Sequence, residues 1–101
     1  MSLFDVNTHG VTFHGNLDRE TLTKNWWLLL TPGQQKTLRG ASECVFDLSD
    51  VERVDSAGLA WLINAIRDAR QAGIRITLQE PPEKLIKLAK ISDVDTLLPL
   101  Q

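Results

Sequence analysis

The chain has 101 residues, 43% of them apolar and 24% charged, a size and composition that predict a single domain over residues 1–101. Eleven basic and 13 acidic side chains are interspersed to a formal net charge of -2, which supplies no electropositive stripe for counterion release and argues against nucleic acid as a partner. The longest apolar runs, Trp26 to Leu30 and Leu59 to Ile63, fall far short of the roughly 20 residues of a membrane span, so direct membrane insertion is not expected.

Met1 to Gly10 has no basic n-region, apolar h-region or small-residue cleavage site, which predicts a cytoplasmic protein. Leu3 to Val6 and Val11 to His14 read as two short strands, with Gly10 turning them into a hairpin. After Gly15, Leu22, Trp26, Leu29 and Leu30 have the i, i+4, i+7, i+8 spacing of one helical face, with Asp18 as its N-cap. Thr31-Pro32-Gly33 breaks that helix, and Gln34 to Leu38 resumes as a short one.

Cys44 to Leu48 reads as a strand covered on both faces, and the lone Cys44 within it as a buried thiol without a disulfide or metal partner. Ala57 to Ala72 carries Leu59, Leu62, Ile63 and Ile66 at 3.6-residue spacing and stops at Gly73, the best-defined helix in the chain. Arg75 to Leu78 gives a further strand, Pro81-Pro82 a turn, and Leu85, Ile86, Leu88 and Ala89 a final amphipathic helix. Ile91 to Gln101 shows no pattern. The order of elements implies an α/β fold, a small mixed sheet covered by helices.

Catalytic constellations are hard to assemble from these residues. Ser56 is not in G-x-S-x-G, because Val54 replaces the first glycine, and the two histidines, His9 and His14, sit in or beside the opening hairpin. Asp47, Asp50 and Asp55 read as turn and capping groups before they read as a metal or phospho-aspartate site, and no metal or other cofactor is expected. The absence of G-x-x-x-x-G-K places any ATP chemistry on a partner. Lys84, Lys87 and Lys90 read as a solvated helix face, too few for firm membrane attachment.

Gly15-Asn16-Leu17-Asp18 resembles the G-x-L-D that opens STAS domains, and Val51 to Leu59 (VERVDSAGL) resembles their D-S-x-G-L motif at the start of the central helix. The resemblance runs through Asp47-Leu48-Ser49 before the motif, Ala72-Gly73 and the strand after it, and the helix Lys84 to Lys90. Two branches of the family compete. The closer likeness is to the small cytoplasmic STAS subunits of phospholipid ABC transporters that maintain outer-membrane lipid asymmetry. This implies a non-enzymatic accessory protein that binds the transporter ATPase, meets the permease indirectly and lies peripheral to the inner membrane. The alternative is an anti-sigma-factor antagonist, in which the serine at the position of Ser56 is phosphorylated. The transporter branch tends to have threonine there, so phosphorylation stays open.

Ser56 stands at the start of the central helix, where its hydroxyl can cap a free amide while Ala57 and Gly58 add no bulk beside it. Asp55 reads as a turn former, and Gly58 either admits a partner backbone or allows tight helix-strand packing. At 100° per residue, Ala57, Trp61, Asn64 and Asp68 fall opposite Leu59, Leu62, Ile63 and Ile66. Trp61 is therefore expected to be exposed, completing a docking face of Asp55, Ser56, Ala57, Gly58, Trp61 and Asn64.

Overall fold

The computed structural model describes residues 3–8, 10–19, 22 and 24–99, and His9, one of the two histidines considered above, lies outside them. Four strands, β1 (Phe4–Val6), β2 (Gly10–Leu17), β3 (Glu43–Val54) and β4 (Arg75–Gln79), form one sheet in the order β1-β2-β3-β4. The β1–β2 pair is antiparallel, while β2–β3 and β3–β4 are parallel. The helices are α1 (Trp26–Leu29), α2 (Pro32–Ala41), α3 (Ser56–Gln71) and α4 (Glu83–Ile91), followed by a 3-10 turn at Asp95–Leu97. The mixed α/β architecture is the expected one.

Strand residues alternate between core and the opposite face, and this alternation decides where the helices sit. Val11 and Phe13 of β2, Cys44, Phe46 and Leu48 of β3, and Ile76 and Leu78 of β4 are all buried in one core. Their neighbours Thr12, Val45, Asp47, Thr77 and Gln79 are only half-buried on the other side. β3 is thus covered on one face, not both as its apolar run suggested. Cys44 is buried as expected, and desolvation pushes its thiol up to about 12, leaving it a small hydrophobe without thiolate character.

Aromatic rings fasten the helical layer to this sheet. Phe13 meets Phe46 at 5.0 Å and Trp61 at 5.7 Å, both edge to face, and Trp26 meets Phe46 at 4.9 Å. Such contacts add about 0.5–1.5 kcal/mol each beyond the area they bury. Trp26 and Trp61 thereby bring α1 and α3 onto the same pair of strands.

The first helix departs from expectation. No helix runs from Asp18 through the described residues; the Asp18 carbonyl accepts from the Leu22 amide at 3.1 Å, and α1 spans only four residues. Asn25 has an extended backbone (ψ 144°), and the Lys24 carbonyl accepts from Trp61 Nε1 at 2.7 Å. Pro32 opens α2 rather than merely breaking the preceding helix. The Thr31 hydroxyl accepts from the Gln34 amide at 3.1 Å, while the Gln34 side chain accepts from the Thr31 amide at 2.9 Å, a reciprocal cap with proline in the first turn.

Candidate functional site

The two sequence motifs are one structural unit. β2 continues through Gly15-Asn16-Leu17 beside the end of β3, with register shifts that re-aim its last residues. The Leu17 carbonyl then accepts the Asp55 amide at 3.2 Å. Gly58 lies directly over that carbonyl: a Cβ there would overlap the Leu17 oxygen, so tight helix-strand packing accounts for the glycine and leaves it buried.

Asp55, not Ser56, is the N-cap of α3. One carboxylate oxygen accepts from the Gly58 amide at 2.9 Å and the other from the Arg19 amide at 3.2 Å, tying the exit of β2 to the entrance of α3. These bonds favour the ionised form, and the Gly58 amide foremost holds the Asp55 carboxyl below the usual range. Because the aspartate occupies the cap, Ser56 becomes the first helical residue. It is exposed, and its hydroxyl has no hydrogen-bond partner among the described residues.

Trp61 corrects the expected docking face. It is 6% exposed, edge-on to Phe13 and bonded through its ring nitrogen to the Lys24 carbonyl. The buried stripe of α3 consists of Gly58, Leu59, Trp61, Leu62, Ala65, Ile66 and Ala69. It is centred on the small residues that let the helix approach the sheet, and so is wide enough to take in Trp61. The Leu59-Leu62-Ile63-Ile66 stripe read from bulky residues alone was rotated away from it.

What remains on the surface is a smaller patch at the N-terminal end of α3. Ser56 and Ala60 are exposed, and Ala57 and Asn64 are half-buried. α1 packs on α3, and its Leu28 is 68% exposed. Ala60 was passed over because alanine carries no chemistry; its smallness is what leaves Ser56 standing clear. Lys84, at the start of α4, adds a positive charge near Asp55.

His14 lies in the opening hairpin, as expected, on β2. From β2 its ring nitrogens meet Asp50 of β3 at 2.5 Å and Asp5 of β1 at 2.8 Å, on the face of the sheet away from the core. Neither aspartate is near Ser56 in the pairing register, and the three form a clamp across strands rather than a triad. Among the described residues no helix is long and apolar enough to cross a membrane.

This architecture has known counterparts. The solved NMR structure of the protein TM1081 superposes with a TM-score of 0.64 over 100% of this chain and 80% of that one, at 20% sequence identity, a likeness of fold. Two relatives, from Escherichia coli (strain K12) and Shigella flexneri, are each named intermembrane phospholipid transport system binding protein MlaB. Each is 36% identical over 77 residues, covering 76% of this chain and 72% of the relative. The family model described as "Mlab, STAS domain" matches residues 4–99, a span that includes both motifs and all four strands, and the chain belongs to that STAS-domain family.

Proposed function

We propose that this chain is a non-enzymatic STAS subunit of a phospholipid ABC transporter and docks on the cytoplasmic ATPase through the N-terminal end of α3. The observation that carries the reading is the exposed Ser56 at the first position of a helix whose cap and packing are completed by other residues. Nothing in the fold depends on its hydroxyl. Ser56, Ala57, Ala60 and Asn64 make a surface on which a partner backbone can close. The two relatives, named for intermembrane phospholipid transport, suggest the system in which such a surface would serve. ATP hydrolysis then belongs to the partner, and the membrane permease is met through it.

The same exposed hydroxyl supports the second reading, an anti-sigma-factor antagonist controlled by phosphorylation of Ser56. Affinity purification of the tagged chain under native expression separates the two. Co-purification of an ABC ATPase in fixed stoichiometry, with ATP hydrolysis appearing only in the complex, is the expected result. Recovery of a serine-kinase sigma-factor regulator, with a phosphate on Ser56 by intact mass, would overturn the transporter reading in favour of the antagonist.

A further inference from the structure

We propose that the edge of β4 left unpaired among the described residues, with the groove beside it, is a docking site for an extended acidic peptide segment carried by a partner protein. β4 is the last strand of the sheet, paired with β3 on one side only. On its other side the Leu78 amide donates to the Pro99 carbonyl at 2.8 Å. Backbone groups of a strand alternate in direction, so the N–H and C=O of Ile76 face that same edge, where no backbone partner meets them among the described residues. A strand edge of this kind recruits another extended chain, whose backbone can pair with successive groups along it.

The groove running along this edge has a volume of about 660 Å³ and joins a smaller one of about 170 Å³ through shared Ile66, Arg70 and Pro99. Ile63, Ile66 and the 49%-exposed Leu97 give it an apolar floor. Its charge is one-sided. Arg67 and Arg70 from α3 stand exposed beside it with no ion pair among the described residues, whereas the single carboxylate lining it, Glu43, is paired with Arg75 of β4 at 3.7 Å. In a chain of net charge -2, this local excess of arginine selects an acidic partner, and a segment alternating acidic and apolar side chains would satisfy rim, floor and strand edge together. A lipid headgroup could meet the arginines but not the strand edge, so the peptide is the better fit.

The site does not rest on the Ser56 reading, since Arg70 lies fourteen residues along α3 from Ser56, roughly 20 Å at the rise of a helix. It is tested with a fluorescein-labelled short peptide alternating glutamate and leucine, a control with lysine for glutamate, and phosphatidylglycerol vesicles. Anisotropy at low and physiological salt gives affinity, and backbone amide shifts give location. The expected result is salt-sensitive binding of the acidic peptide alone, with shifts centred on Arg75–Thr77. The double variant Arg67→Glu/Arg70→Glu should bind about tenfold more weakly or worse with an unchanged circular dichroism spectrum. Should that variant fold poorly, Arg70→Gln reports the same loss on a smaller scale. Equal binding of both peptides, shifts centred on Ser56 to Asn64, no peptide binding at all, or vesicle binding in its place would each overturn the proposal.

Discussion

Trp61 shows how a single residue changes its role when packing is taken into account. Helical angles computed from bulky apolar residues put it on the outer face, but Gly58, Ala65 and Ala69 are buried too, and they shift the centre of the stripe towards it. Small residues are weak signals in a sequence and strong ones in a structure, because they set how closely a helix can approach a sheet. The same lesson applies to the cap: Asp55 and Ser56 are both good capping residues, and only the backbone shows that the Asp55 carboxylate reaches the Gly58 amide. Trp61→Ala should therefore lower stability by about 3–5 kcal/mol in urea unfolding at an unchanged m-value. Trp61→Phe keeps a ring against Phe13 but gives up the bond to the Lys24 carbonyl and part of the packed volume, a cost of about 1–3 kcal/mol. A loss under about 1 kcal/mol for the alanine variant would place Trp61 outside the core after all.

Among the elements, legibility followed the strength of local signals. α3, β4 and α4 were readable because Gly73, with φ of +84°, and Pro81-Pro82 punctuate clean periodic patterns. The stretch before α2 misled, since Leu22, Trp26, Leu29 and Leu30 match a helical face although Trp61, far away in sequence, occupies the Lys24 carbonyl. The extension of β2 through Leu17 was hidden by Gly15, which reads as a terminator but keeps its φ of +72° within the strand. Equally invisible was the clamp in which β2 presents His14 to Asp5 and Asp50, because the irregular β2–β3 register sets it. With a carboxylate on each ring nitrogen, only the doubly protonated ring can donate to both, and the bonds to Asp50 and then Asp5 raise the His14 pKa above its ordinary 6.5. A raised folded value means stabilisation that is fully present below the unfolded pKa and is lost as pH rises through the folded one. The melting midpoint of the chain should therefore exceed that of His14→Gln most at about pH 6, below the ordinary imidazole value, with the gap narrowing as the pH is raised above neutrality. A gap independent of pH across that range would show that the clamp does not hold a charged imidazole.

At the scale of the whole molecule, the one-sided sheet concentrates the available surfaces on α3 and the sheet margins. The N-terminal end of α3 carries Ser56 beside a capped but still positive helix terminus, and the C-terminal half carries Arg67 and Arg70 beside β4. Folding and docking are separable at the first of these ends, because Leu17, Asp55 and Gly58 maintain the junction while Ser56 contributes no bond to it. A negative charge placed at Ser56 meets two opposed fields, attraction from the helix terminus and repulsion from Asp55, and each is worth less than about 1 kcal/mol at an exposed position. Ser56→Asp should thus shift stability by no more than about 1 kcal/mol in either direction. The same carboxylate would have to be desolvated when a partner closes over Ser56, Ala57 and Ala60, and a buried unpaired charge is costly. Recovery of the ATPase in a pull-down should fall about tenfold or more for Ser56→Asp and little for Ser56→Ala, which removes only a hydroxyl without a partner among the described residues. Arg67→Glu/Arg70→Glu, at the other end of the helix, should leave that recovery unchanged. Full ATPase recovery with Ser56→Asp would move the docking face away from this end of α3, and a large loss of stability in the same variant would mean that Ser56 belongs to the fold.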